Sequence, residues 1–158
     1  MSEIKRIEDQ LKRAFEGNAW HGSGVLEILR DVSASRAAAR PLPGAHSIWE
    51  LVLHITAWES VCRRRLEGDR AQIPDEEDWP AVGETSEVAW EQVKQGLIEG
   101  HHRLRQAIGQ LDESRLDEPI LPDMSSVYVT LHGAVQHDLY HAGQIAILKK
   151  AATEAMSA

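Results

Sequence analysis

Residues 134–148 read AVQHDLYHAGQIAIL, a stretch with no proline and two histidines, His137 and His141, spaced four apart. With eight histidines in 158 residues, chance alone supplies roughly 0.4 such pairs, so the spacing by itself decides nothing. The phase decides more. Counting 100° per residue from His137, Leu148 lies at about 20°, His141 at about 40°, Ala134 at about 60° and Ile145 at about 80°. The pair therefore shares the apolar arc of an amphipathic helix expected from about Thr130 to Thr153.

The same periodicity recurs upstream. Ile4, Ile7, Leu11, Phe15, Asn18, His21, Val25, Ile28 and Val32 keep a three-or-four spacing, which predicts one helix over about residues 3 to 32, with Gly17, Gly22 and Gly24 as points where it kinks. Ser47 and Glu50 form an S-x-x-E capping box at the head of a second helix that turns Ile48, Leu51, Ile55, Trp58, Cys62 and Leu66 inward. A third runs from about Ser86 to Leu111 on Trp90, Val93, Leu97, Leu104 and Ile108. Residues 69 to 84 are acidic and hold Pro74, Pro80 and Gly83, which reads as a mobile surface loop. No stretch alternates long enough to argue for a sheet. One all-α domain over 1–158, a four-helix bundle with two long connections, is expected.

His54 lies on the inward arc of the second helix, with Trp58 at about 40° and Leu51 at about 60° from it. A buried imidazole nitrogen without a partner costs about 1–3 kcal/mol. One divalent cation shared by His54, His137 and His141 would satisfy all three and leave coordination positions open, as in catalytic rather than structural sites. Asp138 then reads as an acceptor behind a ligand or as a base toward a bound water. HDLYH is not a zinc-protease helix, because no histidine follows His141 to serve as third ligand. A di-iron carboxylate bundle fails too, since Glu99 falls on the solvent side of its helix. His101 faces inward as a core or pocket-lining residue, and His21 is expected as a pocket group or fourth ligand. Trp58 is expected beside the metal, whereas His46 and His132 receive no role.

A formal net charge of −8, from 25 acids against 17 Lys plus Arg, repels phosphate backbones and anionic membrane surfaces, so no nucleic-acid or membrane partner is expected. One cysteine, Cys62, excludes an intrachain disulfide and fits a reducing cytoplasm. The N-terminal MSEIKRIEDQ has no apolar leader pattern, and no run reaches the roughly 20 apolar residues of a membrane span.

Three segments, WHGSGVLEIL from Trp20, PGAHSIWELVLHITAWE from Pro43 and HDLYHAGQIAILKK from His137, together make the chain resemble the DinB-like metalloprotein superfamily over almost its whole length. That resemblance implies an up-up-down-down bundle, a divalent metal on His54, His137 and His141, Gln144 among the pocket residues, and a homodimer. Leu139, Ala146 and Ile147 lie outside the core arc of the last helix, which agrees with a dimer. Members include thiol transferases and maleylpyruvate isomerase-like enzymes. The resemblance thus points to a metal-dependent transferase that uses a low-molecular-weight thiol on a small electrophilic substrate. A metal-dependent hydrolase and a non-catalytic metal-binding stress-response protein are the alternatives. Zinc or nickel is the expected ion; three imidazoles also accept iron or manganese.

Overall fold

The computed structural model describes residues 1–70 and 72–155, with the backbone alone for 153–155; Ala71 of the acidic connection and the last three residues of the expected 1–158 domain lie outside the described residues. Four long helices carry the fold: α1 (Glu3–Glu16), α4 (Ile48–Leu66), α6 (Glu87–Gly109) and α7 (Val127–Ala155). Short helices α2 (Val25–Leu29), α3 (Ala34–Ala38) and α5 (Asp75–Asp78) and a 3₁₀ turn at Glu113–Asp117 lie in the connections. Ser47 Oγ accepts from Glu50 N at 3.2 Å while a Glu50 carboxylate oxygen accepts from Ser47 N at 2.7 Å, so the expected capping box opens α4. Ser86 caps α6 in the simpler way, through Ala89 N.

The helix expected over residues 3 to 32 is corrected to two helices, α1 and α2, separated by a turn. Of the expected stripe, Phe15, Val25 and Val32 enter one core cluster and Ile28 packs partly buried against it, with Leu29 rather than Ile28 fully inside, but the backbone turns between them. Gly17 ends α1 with φ 130° and Asn18 follows at φ 63°, a left-handed excursion that cannot continue a helix. A Cβ on Gly24 would meet the backbone of Gly17 and Phe15 at 2.8 and 2.9 Å, so the chain folds back tightly on the end of α1.

Helix directions follow from which residues meet. Glu3 at the start of α1 donates its N–H to Glu113 just beyond α6, and Phe15 near the end of α1 stacks on His101, so α1 and α6 are antiparallel. Trp49 meets Trp90, and Glu59 meets His101, so α4 and α6 are parallel. His54 meets His137 and His141, whereas Cys62 shares a cluster with Leu131, so α7 runs against α4. The order is therefore up-down-down-up, which corrects the expected up-up-down-down. The 67–86 connection spans the length of the bundle, and that is why it needs 20 residues.

Two apolar clusters fill the interior. Trp49, Leu51, Ile55, Trp90, Leu97, Ala142 and Ile145 belong to one; Ile7, Leu11, Cys62, Leu104, Ile108, Leu131 and Val135 belong to the other. Leu139, expected to face outward, packs partly buried against the second. Between the clusters, one helical turn from each, lies a buried polar layer of Glu59, His101 and Asp138, with His54 and His141 beside it.

Candidate metal centre

The inward arcs of α4 and α7 bring three imidazoles to one point. His137 Nε2 stands 3.1 Å from His54 Nε2 and 3.1 Å from His141 Nε2. Ring centroids are 5.0 Å apart for His54 and His137, 4.8 Å for His54 and His141, and 4.4 Å for His137 and His141. The opposite nitrogens of two rings are already committed. His54 Nδ1 donates to the Asp78 carbonyl at 2.6 Å, and His141 Nδ1 donates to Gln144 Oε1 at 2.6 Å. Both rings thereby carry their hydrogen on Nδ1 and present a bare lone pair at Nε2. His137 can supply at most one hydrogen to two neighbouring lone pairs, so the cluster is short of donors. A cation removes that deficit. Imidazole nitrogens about 2.0–2.1 Å from one tetrahedral ion sit roughly 3.3 Å apart, close to the spacing found, so the donor set fits a divalent ion.

The acidic connection builds the rest of the site. Trp79 stacks on His54 with centroids 3.8 Å apart and planes within 8°, and His46 stacks on the other side of this sequence of rings, 3.7 Å from Trp79. Trp58 Nε1 donates to Asp78 Oδ1 at 2.7 Å, and Arg64 forms ion pairs with Glu77 and with Asp69. Expected as a mobile loop, the 69–84 segment is held to α4 at several points by these contacts. Trp58 itself lies 6.4 Å from His54 and 6.1 Å from His137, centroid to centroid, so it flanks the cluster.

Burial and the neighbouring rings hold the His137 imidazole down at about 3. Burial lowers His141 as well, against the opposing pull of its Gln144 hydrogen bond. At neutral pH His137 and His141 are therefore neutral, the form a metal ligand requires. A cavity of about 300 Å³ between α4 and α7 reaches His137 and is lined also by Trp58, Arg65, Val129 and Ala134. A second cavity of about 500 Å³ shares Trp58 and Arg65 but touches none of the three histidines.

Other expected site residues fall elsewhere. His21 sits exposed on the turn after α1, a position that corrects its assignment as pocket group or fourth ligand; the break at Gly17 rotates it off the inward stripe. Asp138 does not point at the imidazoles. One residue past His137, it turns about 100° around α7 and joins Glu59 and His101 in a separate buried group. His101 is fully buried there, with Nδ1 2.7 Å from Glu59 Oε1 and its ring stacked on Phe15 at 3.7 Å. Burial raises Glu59 well above the carboxylate range; burial and then the charge of Glu59 do the same to Asp138. The thiol of Cys62 is pushed up to about 12 by burial and by both carboxyls.

Sequence reasoning missed Trp79, Asp78, His46 and Glu59. A tryptophan in an otherwise acidic, proline-bearing segment was the available signal for the first. Glu59 lies at the edge of the inward arc of α4, where an acid has no apolar reason to be.

A family model described as the DinB superfamily matches residues 19–145. The solved structure titled "Crystal structure of the conserved protein of locus from Enterococcus faecalis" superposes with a TM-score of 0.74 at 17% identity, over 98% of this chain and 99% of that one; at that identity the likeness concerns the fold alone. No curated protein matches the sequence. No described helix is long and apolar enough to cross a membrane.

Proposed function

Because the chain belongs to the DinB superfamily, we propose that it holds one divalent ion on the Nε2 atoms of His54, His137 and His141 and acts as a metal-dependent transferase, joining a low-molecular-weight thiol to a small electrophile. The observation that carries this reading is the pair of 3.1 Å contacts among three Nε2 atoms, two of them stripped of hydrogen by acceptors on the far side of the ring. Zinc or nickel suits three neutral imidazoles best. When bound, the ion supplies a Lewis acid that lowers the pKa of a coordinating thiol toward the nucleophilic thiolate.

The chain's own residues supply orientation and shielding. The Asp78 carbonyl and Gln144 fix the two ring orientations, as partners behind metal ligands generally do. Trp79 covers one face of His54, and Trp58 closes the side toward the cavity. Arg65, whose guanidinium lies 5.7 Å over Trp58, puts a positive charge at the cavity wall, where an anionic group of a small thiol would be held. Cys62, protonated up to about 12, is no nucleophile at neutral pH, which supports a thiol delivered as a separate molecule. Asp138, the base expected for a hydrolase, groups with Glu59 and His101 instead of facing the ion, which favours the transferase over the hydrolase.

A homodimer belongs to the same reading. Val129, Tyr140 and Ile147, which are 54%, 66% and 60% exposed, fall within about 20° of one another around α7 and form an outward apolar stripe. The functional test is metal analysis of protein purified without an affinity tag, followed by assays pairing small thiols with haloarene or epoxide electrophiles before and after chelation. Stoichiometric metal with chelator-sensitive thioether formation is expected. Metal without any thiol-dependent turnover would leave the non-catalytic alternative, and protein that binds no metal would end the reading.

A further inference from the structure

The polar layer between the two apolar clusters has no part in the centre described so far. We propose that Glu59, His101 and Asp138 form a second divalent-cation site, separate from the three-histidine centre. Each comes from a different helix, α4, α6 and α7, and each sits in the same layer: Ile55 and Cys62 flank Glu59, Leu97 and Leu104 flank His101, Val135 and Ala142 flank Asp138, in opposite clusters on either side. The three residues are 2%, 0% and 0% exposed, and one ligand atom from each lies within 4.8 Å of the others.

The hydrogen bonds do not close. Glu59 Oε1 meets His101 Nδ1 at 2.7 Å, His101 Nε2 has no partner, and with both acids ionised Glu59 Oε2 and the two Asp138 oxygens have no donor either; the two carboxyls bond each other only if one carries a hydrogen. Nor does charge close. Ionised, two carboxylates beside a neutral imidazole would place two negative charges between apolar layers, so burial favours their protonated forms until a cation is bound, and among the described residues no Lys or Arg pairs with either acid. Arg105, whose charge is felt at His101, is committed to Glu8 and Glu16. Buried charges are retained where they are paired or coordinate a metal, and a divalent cation balances this group while using the orphaned oxygens.

Two oxygens and one nitrogen make a harder donor set than three imidazoles, so manganese(II) or iron(II) suits this site better than the ion held by the histidines. The two groups share no residue, so none of their ligands bridges two ions as a two-metal pair roughly 3.5–4 Å apart requires, and on α4 Glu59 lies about 7.5 Å along the axis from His54. Two independent mononuclear sites follow. Both border the same cavity of about 300 Å³, whose lining includes His137, Glu59 and Asp138, so an ion has a way in. The competing arrangement is a single proton shared by the two carboxyls.

The test is elemental stoichiometry on the full chain, purified without a tag, stripped with chelator and reloaded separately and jointly with zinc(II) and manganese(II). Wild type should bind two equivalents. Glu59→Gln and Asp138→Asn should each bind one, while a His54→Asn/His141→Asn double variant should keep one, of manganese. A single wild-type equivalent that the double histidine variant loses, or two equivalents persisting in Glu59→Gln and Asp138→Asn, would overturn the proposal and leave the shared proton. Should the carboxamide variants fail to fold by circular dichroism, the wild-type count and the equivalent retained by the double histidine variant still decide: none retained overturns it. If the single wild-type equivalent were lost in Glu59→Gln but kept by the double variant, this site would stand and the three-histidine reading would fall.

Discussion

Replacing Gln144 with leucine isolates the contribution of ring orientation to metal binding. Gln144 Oε1 accepts from His141 Nδ1 at 2.6 Å and touches no other ligand. Leucine keeps much of the volume and the helix propensity but removes the acceptor. His141 is then free to carry its hydrogen on Nε2, the atom turned toward His137 at 3.1 Å, and in that tautomer it cannot ligate. Loss of such a partner behind a metal ligand costs 10- to 100-fold in affinity as a rule, equivalent to about 1.4–2.7 kcal/mol. The apo protein loses only a local hydrogen bond, about 1 kcal/mol of stability, so affinity should fall while apo unfolding in urea changes little. Competition against a chromophoric chelator reads the affinity. Gln144→Glu, which keeps an acceptor, should bind at least as tightly as wild type. A leucine variant within twofold of wild type would refute the claim that this bond selects the tautomer, and so would a glutamate variant as weak as the leucine one.

Protonation of the apo protein gives a second expectation. His137 titrates at about 3 in the folded chain against 6.5 when unfolded, so as pH falls below about 6.5 the unfolded state takes up a proton that the native state refuses, and stability is lost until about pH 3. Relative to a His137→Asn variant, metal-free wild type should lose stability by roughly 1.4 kcal/mol per pH unit between pH 6 and 4; parallel urea-derived curves for the two would contradict it. Gly24→Ala would drive a Cβ within 2.8, 2.9 and 3.0 Å of backbone atoms of Gly17, Phe15 and Ala14, and urea denaturation should show a loss of about 1–3 kcal/mol. Cys62, buried and held near 12, should resist an aromatic disulfide reagent at pH 8 in the folded protein and react fully in denaturant; rapid labelling of the native state would place the thiol elsewhere.

Helix periodicity, read along the chain, is local physics, and so α4, α6 and α7 and the inward set of His54, His137 and His141 were legible before any coordinates. A side chain's angle around its own axis depends only on residue count, which is why the phase of His137 and His141 carried over unchanged. The same reasoning failed at residues 17 to 24. There the apolar spacing persisted through a left-handed Gly17 and Asn18, and only backbone conformation distinguishes a helix from a chain that folds back while still facing the core; His21 was misplaced for that reason. Helix directions were likewise beyond the sequence, because the 67–86 connection is long enough to return or to cross. What only the tertiary structure decided is every relation across helices: Trp79 and Asp78 closing over His54 from a segment that looked like solvent-exposed loop, and Glu59, His101 and Asp138 meeting in one layer. Each of those residues reads singly as a surface or core position, and the unbalanced charge that makes the layer notable exists only once three helices bring them within 4.8 Å.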